Sequence, residues 1–398
     1  MPSWKIRRLL GWGSVQPGKA IPAWLACDLR FRGMNGCRPF DSPDFGFFNT
    51  GAMDHPPKSI CLLRLSAIGD VAHMVPVART IQKYWPATEL SWIIGKGEAR
   101  LLHGISGIEF IEFDKAGTLS GYRSLARKLG GRRFDVLLCP QVSFRANLAS
   151  ALVRADLKLG YDRARAKDLH SLFLRQHVAP ASRQHVLDGF FSFIEHLGLR
   201  ERDLRWDYHI PDEAREFAGQ HLANDRFNVL ISPCSSHLLR NWSAPRYAAV
   251  ADHAARTLDA RVILCGGPSA QERQMGQEIE KHMQSKPLNL IGRDTLKKFL
   301  ALLQGADVLI SPDSGPAHMA AGVGTPVVGL YAASNPHRSG PYLSRQWCVN
   351  KYGMAAQTFK DKSEDELKWG TKLEYEGVMD LIEVDEVTSR LDALAGIQ

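Results

Sequence analysis

From residue 58 onward, short apolar runs alternate along the chain with longer stretches whose apolar residues recur at helical spacing. The short runs are rich in Val, Ile and Leu and predict buried strands, whereas the longer stretches predict amphipathic helices. This alternation is typical of parallel sheets joined by crossover helices. The strands predicted in this way cover residues 59–65, 90–94, 108–113, 135–140, 228–232, 260–265, 306–311 and 326–331.

The alternation lapses over residues 205–211 and resumes with an acidic helix start at residue 212. A gap between two periodic stretches indicates a domain boundary. We therefore assign residues 55–210 to a first domain and residues 211–345 to a second, each a doubly wound α/β unit. The helices predicted most clearly cover residues 70–84, 184–197 and 384–394.

Two terminal stretches lie outside these two domains. Residues 1–54 are rich in Trp, Gly, Pro and Arg and show no sustained period, so we expect an N-terminal extension outside the folded domains. Its one apolar run is too short for a signal-peptide core. Because periodic sequence begins just after Met53, we expect translation to start there naturally, with a genuine extension as the alternative. Residues 346–398 end in an apolar helical stripe that we expect to pack back on the first domain.

Length and charge narrow the class of protein. A chain of 398 residues suits two domains with substantial cores, and its net charge of +8 indicates an anionic partner: nucleic acid, a membrane surface or a phosphorylated substrate. Nucleic acid is the weaker choice, because the sequence has no aromatic RNA-binding pattern, zinc-finger spacing or long basic run. No apolar segment approaches the roughly 18 residues of a membrane span. The sequence thus predicts a soluble, cytoplasmic protein.

The cysteines support a reducing compartment. They are scattered, odd in number and never spaced as CxxC, so we expect buried free thiols and neither disulfides nor metal ligands. The seven are Cys27, Cys37, Cys61, Cys139, Cys234, Cys265 and Cys348.

Small polar residues crowd the end of the third strand predicted in the second domain, in the stretch PDSGPAH. If a helix begins at Gly315, its unpaired N–H groups and positive dipole end form an anion site. Gly315 would let a ligand approach the backbone, Pro316 suits a first helical turn, and Ser314 and His318 supply donors. Asp313 would orient loop N–H groups or a sugar hydroxyl. The alternative is a plain capped helix, with His318 on the surface.

Two other strands of the second domain also end in small polar loops, at residues 233–236 and 266–268. In a parallel sheet such ends share the edge at which ligands bind. In the first domain, Asp70 follows Gly69 at a predicted helix start, for which a capping role is the simplest interpretation. That loop has no GxGxxG dinucleotide fingerprint, and the sequence has no P-loop, which argues against a dinucleotide enzyme and an NTPase.

The segments SAIGDVAHMVPV and SPDSGPAH together resemble glycosyltransferase family 9, the ADP-heptose:lipopolysaccharide heptosyltransferases. The resemblance covers residues 58–342, with HVLDGFFSFIEHLGL, SSHLLRNWSAPRYAAV, ILCGGPSAQE and NLIGRDTLKKFLALL in the family's order. It implies a GT-B fold, in which two Rossmann-like domains face each other across a cleft. It also implies inverting transfer of a heptose from ADP-heptose to the lipopolysaccharide inner core, without a metal ion or other cofactor.

The resemblance assigns roles to particular residues. Asp70 matches the base that takes the proton of the acceptor hydroxyl. Arg240, where the family often has Lys, would neutralise the leaving diphosphate, a surface salt bridge being the alternative. Glu272 would bind the ribose hydroxyls, unless Gln271 is the matching residue. The donor-binding residues implied are Ser235, Ser236, Glu272, Gly292, Thr295, Asp313, Ser314, Gly315, Pro316 and His318.

A basic cluster in the first domain, Arg145, Arg163, Arg165 and Lys167, suits the carboxylates and phosphates of an inner-core acceptor. The alternative is a solvated basic loop. The same charge predicts peripheral contact with the inner face of the cytoplasmic membrane by a protein expected to be a monomer.

Two other functions remain open. A GT-B nucleotide-sugar epimerase would need neither the Asp70 loop nor a basic acceptor face. A non-catalytic binding relative would be suggested by loss of Asp70 or of the DSGPAH stretch, and both are present. The motifs give no explanation for residues 343–378.

Overall fold

The computed structural model describes Met53, residues 55–117 and residues 119–396. Of the expected N-terminal extension, residues 1–52 and residue 54 lie outside the described residues. Within the described part, the chain forms two parallel sheets of six strands each, one per domain, with helices between successive strands.

The first sheet has the order β3-β2-β1-β4-β5-β6. Its strands are β1 (Ser59–Leu63), β2 (Glu89–Gly95), β3 (Glu109–Phe113), β4 (Arg133–Leu138), β5 (Arg154–Gly160) and β6 (Gln176–His177). The helices of this domain are α1 (Ile68–Tyr84), α2 (Lys96–Leu102), α3 (Leu119–Leu129), α4 (Phe144–Leu152), α5 (His170–Phe173) and α6 (Val186–His196).

The second sheet has the order β12-β11-β10-β7-β8-β9. Its strands are β7 (Asn228–Ile231), β8 (Arg261–Leu264), β9 (Leu288–Asn289), β10 (Val308–Pro312), β11 (Val327–Tyr331) and β12 (Val349–Asn350). The helices are α7 (Asp212–His221), α8 (Ala244–Thr257), α9 (Ala270–His282), α10 (Leu296–Gly305), α11 (Gly315–Gly322), α12 (Pro336–Ser339), α13 (Tyr352–Lys360) and α14 (Val384–Ala395).

Both faces of each central strand are packed, which explains the near-continuous apolar runs. In β1, Ile60 and Leu62 belong to one buried cluster, while Cys61 and Leu63 belong to another on the opposite face of the sheet. The first of these clusters also contains Leu309 of the second sheet. One apolar core therefore runs continuously from the first domain into the second.

The predicted architecture of two doubly wound parallel units is confirmed, and each of the eight predicted strands is present within two residues of its expected bounds. Four strands are additional. β6, β9 and β12 have only two residues each, and β5 alternates exposed and half-buried positions before it becomes buried. Short or half-exposed edge strands lack the apolar run on which the prediction depended.

The two domains touch through the N-termini of α1 and α11. A Cβ atom added to Gly69 would lie 2.4 Å from Cδ2 of His318, and one added to Gly315 would lie 2.3 Å from Cγ2 of Ile68. Both glycines are thus needed for the close approach of these helix ends. The sequence assigned Gly315 to ligand approach alone, and its contact with the first domain is a second demand on the same residue.

The C-terminal helix α14 packs on the second domain. Its residues Val387 and Leu391 are buried in one cluster with Trp242 and Tyr247 of that domain, and His253 of α8 bonds Asp392 at 2.7 Å. The expectation that this helix packs on the first domain is therefore wrong. An apolar stripe shows that a face is buried, but it does not show against which partner.

No helix in residues 55–117 and 119–396 is long and apolar enough to cross a bilayer. The five cysteines in this part of the chain are buried free thiols, as predicted, and burial raises the pKa of Cys139 to about 12. Cys27 and Cys37 lie outside the described residues.

Candidate functional site

A cavity of about 1580 Å³ opens between the two domains, at the carboxyl ends of both sheets. The first domain lines it with the N-termini of α1 and α6, and the second with the loops after β7, β8 and β10. Pockets for single small ligands are usually about 300–1,000 Å³. This cavity has room for a donor and an acceptor together.

Asp70 lies on the first-domain wall, in the first turn of α1. Its Oδ2 accepts hydrogen bonds from the Ala67 N–H at 3.3 Å and from Nη2 of Arg64. Arg64 also donates to the carbonyl oxygen of Pro140 and lies over the Phe190 ring, 5.1 Å from its centroid. The carboxylate therefore caps its helix and is also fixed by a half-buried guanidinium. No described residue donates to its other oxygen, Oδ1, which remains free for a substrate.

The loop before α1 is held by the end of the neighbouring strand. The side-chain oxygen of Gln141, after β4, accepts the Leu65 N–H at 2.6 Å, and its amide nitrogen lies 3.5 Å from Oγ of Ser66. A polar residue at the end of β4 therefore holds the loop that leads to Asp70.

On the opposite wall, α11 begins at Gly315 without a side-chain cap. Ser314 occupies the N-cap position, but its hydroxyl bonds Oγ of Ser311 at 2.8 Å and no helix N–H. The first N–H groups of α11 therefore lack a side-chain partner, which is the arrangement that binds anions at helix N-termini. Pro316 follows in the first turn and also lines the cavity.

A compact network of charges lies beside this helix terminus. Asp313, only 8% exposed, accepts a 2.7 Å hydrogen bond from Nζ of Lys372 at its Oδ2, and Nη1 of Arg240 is 3.7 Å from the same atom. Arg240 also donates through Nε and Nη2 to Oε1 of Glu374, at 2.7 and 2.5 Å. Burial raises the pKa of Asp313, but Lys372 and His318 outweigh it and hold the pKa below its ordinary value.

Three histidine rings form a row across the domain contact. The ring of His73 on α1 is 4.4 Å from that of His318 and 5.4 Å from that of His185, measured between centroids. Burial lowers the pKa of all three, and of His185 to about 4. His318 lines the cavity from a buried position, so the alternative of a surface residue is wrong.

The loop after β8 is organised by Glu272. Its Oε1 accepts the Gly267 N–H at 2.7 Å, and its Oε2 accepts the Ser269 hydroxyl at 2.6 Å. Both Glu272 and the alternative Gln271 line the cavity, together with Ser235 and Ser236 after β7. Both carboxylate oxygens of Glu272 thus accept hydrogen bonds from within the loop.

Gly292 and Thr295 are not among the residues that line the cavity. Gly292 has a φ of +74° in a turn behind the β8 loop, and Thr295 caps α10 through a 3.3 Å bond from the Lys298 N–H. Between them, the largely buried Asp294 has its pKa raised to about 7 by burial, and its Oδ2 has no protein donor among the described residues.

The predicted acceptor residues divide into two groups. Lys167 and Arg165 line the cavity, whereas Arg145 and Arg163 are exposed outside it. The guanidinium of Arg165 is committed to protein: it bonds Oδ2 of the buried Asp162, the side-chain oxygen of Gln184 at 3.1 Å and the Ala179 carbonyl at 2.8 Å. Arg165 therefore links residues 162, 179 and 184 to one another.

Several cavity residues were missed by the sequence reasoning. His73 and His185 lie within the segments that carry the resemblance, and Arg64 lies two residues before the first of them, so the polar residues in and beside these segments were a usable signal. Trp369 and Lys372 lie in the unexplained stretch of residues 343–378, and Arg338 lies just before it. No motif marks any of the three, although all of them line the cavity. Among described residues, no group of three or more His, Cys, Asp or Glu side chains is placed to hold a metal ion.

The chain is similar to known proteins in sequence and in fold. The sequence model of glycosyltransferase family 9 (heptosyltransferase) matches residues 122–369. The chain is 39% identical over 338 residues to the lipopolysaccharide core heptosyltransferase OpsX of Haemophilus influenzae, covering 85% of this chain and 97% of that protein.

Two solved structures share the fold. The family 9 glycosyltransferase of Veillonella parvula superposes with a TM-score of 0.71 at 23% identity, covering 87% of this chain and 99% of that one. The ADP-heptose lipopolysaccharide heptosyltransferase II of Escherichia coli gives a TM-score of 0.66 at 19% identity, covering 85% and 98%. The GT-B fold expected from the sequence is thereby confirmed.

Proposed function

Because the chain belongs to glycosyltransferase family 9, we propose that it transfers a heptose from ADP-heptose to the inner core of lipopolysaccharide, with inversion at the anomeric carbon. The observation that carries this proposal is the meeting of two features in one cavity. Asp70 on the first domain opens onto the same space as the uncapped N-terminus of α11, and Gly69 contacts His318 directly.

On the donor side, the diphosphate lies against the N-terminus of α11. Its negative charge is matched by the free N–H groups of the helix and by Arg240. As the bond between the anomeric carbon and the diphosphate oxygen breaks, ADP leaves with the electron pair. Fixed donors stabilise this developing charge without reorganisation. The pKa of Asp313 is held below its ordinary value, so its carboxylate is ionised and can accept a hydrogen bond from a sugar hydroxyl.

On the acceptor side, a hydroxyl oxygen attacks the anomeric carbon from the face opposite the diphosphate. Its proton passes to the carboxylate of Asp70, whose Oδ1 has no described protein donor. Arg64 is a positioning residue, because its bond to Oδ2 fixes the carboxylate in one orientation. We propose that the reaction needs no metal ion, with Arg240 and the helix terminus supplying the charge stabilisation.

The test is release of ADP from ADP-heptose with heptose-deficient lipopolysaccharide core as acceptor. The Asp70→Asn variant should lose about 10²- to 10⁴-fold in kcat while it still binds ADP. The exposed Asp225→Asn variant, as a control, should behave as the wild type. Tight ADP-heptose binding without turnover would favour a binding-only relative, and conversion of the nucleotide sugar without acceptor would favour an epimerase.

We also propose that the protein contacts the membrane in which its acceptor is anchored. Phe144, Leu169 and Leu172 are 56–69% exposed, and the Phe144 N–H bonds Oδ2 of Asp168, next to Leu169, at 3.2 Å. Together with the basic residues Arg145, Arg163 and Lys167, they form what we term the apolar–basic rim. Apolar and cationic side chains together suit an anionic bilayer surface.

The rim adjoins the cleft, because Lys167 and its neighbour Ala166 line the cavity. Bilayer contact would bring a lipid-linked sugar toward Asp70. Co-sedimentation with vesicles containing anionic phosphatidylglycerol should fall when Leu169 and Leu172 are both changed to Ser. It should not fall for Met354→Ser, which is also exposed but lies on the second domain. Equal binding by both variants would exclude the rim as the contact. The monomeric state and cytoplasmic location stay predictions.

A further inference from the structure

Residues 363–374, here termed the strap, connect the two domains along one side of the cleft. On the second domain, the Leu373 N–H donates to the Ala333 carbonyl at 2.8 Å, and the Tyr352 hydroxyl donates to the Thr371 carbonyl at 3.0 Å. The strap therefore has fixed main-chain anchors close to the cavity.

On the first domain, the strap is held by the stretch just before α6. Nη1 of Arg183 donates to Oδ1 of Asp365 at 2.7 Å, and Nε1 of Trp369 donates to the Gln184 carbonyl at 2.9 Å. The position of the strap thus depends on both domains. The end of the strap, from residue 370, lies beyond the residues matched by the family model.

The strap delivers Lys372 into the charged network of the cavity. The side chain is 25% exposed, Nζ bonds Oδ2 of Asp313 at 2.7 Å, and the residue lines the cavity. Gly370, two residues earlier, has a φ of +88°, and a Cβ there would lie 2.9 Å from Nε of Arg338. The strap therefore packs directly beside a second cation that lines the same cavity.

The charges around Lys372 do not balance within the protein. Arg240, Arg338 and Lys372 face the cavity, whereas the carboxylates bonded to these cations are Asp313 and Glu374. Within the described residues, no carboxylate lies within ion-pair distance of Arg338. An excess of cations in a partly dehydrated pocket is unfavourable unless an anion completes it. The uncapped N-terminus of α11 adds further positive potential at the same place.

We propose that Lys372 is a second ligand of the donor diphosphate, acting with Arg240 and turning from Asp313 toward the phosphate oxygens when the nucleotide binds. This inference rests on the proposed function. Asp313 would keep a charged partner when Lys372 turns away, because Nη1 of Arg240 is already 3.7 Å from the same oxygen. The released carboxylate can then accept a hydroxyl of the transferred sugar.

A purely structural lysine would hold Asp313 and make no difference to phosphate recognition. The two roles are separated by comparing ADP with adenosine, both measured by competition with a fluorescent ADP analogue. The Lys372→Met variant should bind ADP on the order of 10- to 100-fold more weakly, as expected for a lost charged hydrogen bond, and should bind adenosine as the wild type does. Lys372→Arg should recover part of the ADP affinity because it keeps the charge.

Lys362→Met is the matched control, since Lys362 is an exposed lysine just before the strap and does not line the cavity. It should leave both affinities unchanged. If the wild type binds ADP and Lys372→Met binds it equally well, the inference is overturned and the proposed function stays intact. Equal losses for ADP and adenosine would also overturn it, because they would indicate a distorted pocket. A wild type that binds no ADP would overturn both.

Discussion

His185 makes the stability of the domain contact sensitive to acid. It is 3% exposed; its Nε2 donates to the Gly340 carbonyl of the second domain at 2.9 Å, and its Nδ1 accepts the Leu187 N–H at 3.0 Å. This arrangement requires the neutral ring with its proton on Nε2. Protonation of Nδ1 would put two N–H donors opposite each other, so the contact and the cap of α6 would both weaken.

The size of the effect follows from the pKa of His185. Burial lowers it from 6.5 to about 4, a direction opposed by the bond to Gly340 and by Asp188, and supported by His318 and Arg345. As the pH falls below 6.5, the unfolded chain takes up the proton before the folded one does. The free energy of unfolding therefore decreases between pH 6.5 and 4, by about 2 kcal/mol between pH 7 and pH 5.

The assay is urea unfolding at pH 7 and pH 5, followed by tryptophan fluorescence and circular dichroism, whose transitions must coincide for a two-state free energy. His185→Asn keeps a capping oxygen for α6 but does not titrate. Its free energy of unfolding should decrease by about 2 kcal/mol less than that of the wild type between the two pH values. His282→Asn, an exposed control, should follow the wild type. An unchanged pH dependence in His185→Asn would refute the reasoning.

Three further substitutions test packing and charge. Gly69→Ala would place a Cβ 2.4 Å from Cδ2 of His318, so the free energy of unfolding measured in urea should decrease by about 1–3 kcal/mol. Adding His318→Ala in a double-mutant cycle should recover part of this loss, and strictly additive effects would contradict the contact. Arg165→Met leaves the buried Asp162 carboxylate without its charged partner and should lower the free energy of unfolding by about 3 kcal/mol; an unchanged urea midpoint would show the pair to be dispensable. Trp242→Ala removes a fully buried ring whose Nε1 donates to the Ile382 carbonyl and should cost about 3–5 kcal/mol; hydrogen exchange in α14 that stays at the wild-type rate would argue against the packing described.

The periodic sequence was sufficient for the fold class, because a strand buried on both faces must be apolar at nearly every position. Residues of β1 show this directly, since Ile60 and Cys61 enter different cores. The loop of Asp313 to His318 was also visible, since polar residues at a strand end have few roles other than capping and binding. β5 was not visible, because its first residues alternate between exposed and half-buried positions.

The chemistry of individual residues was less accessible. Arg165 was expected at the acceptor, but its guanidinium is committed to Asp162, Gln184 and Ala179. Arg64, six residues before Asp70, received no role although it bonds that carboxylate. Side-chain partners depend on distances and directions, which the order of residue types does not contain.

The sequence by itself determined that this protein has two doubly wound α/β domains, a polar loop at the end of a strand in the second domain, and an acid at a helix start in the first. Local spacing decides these features, because strand periodicity, helix capping and loop composition act over a few residues. Only the tertiary structure decided that α14 packs on the second domain, that Gly315 also serves the domain contact, and that Lys372 reaches Asp313 across 59 positions of sequence. These depend on which surfaces meet, and burial patterns do not identify the surface that covers them.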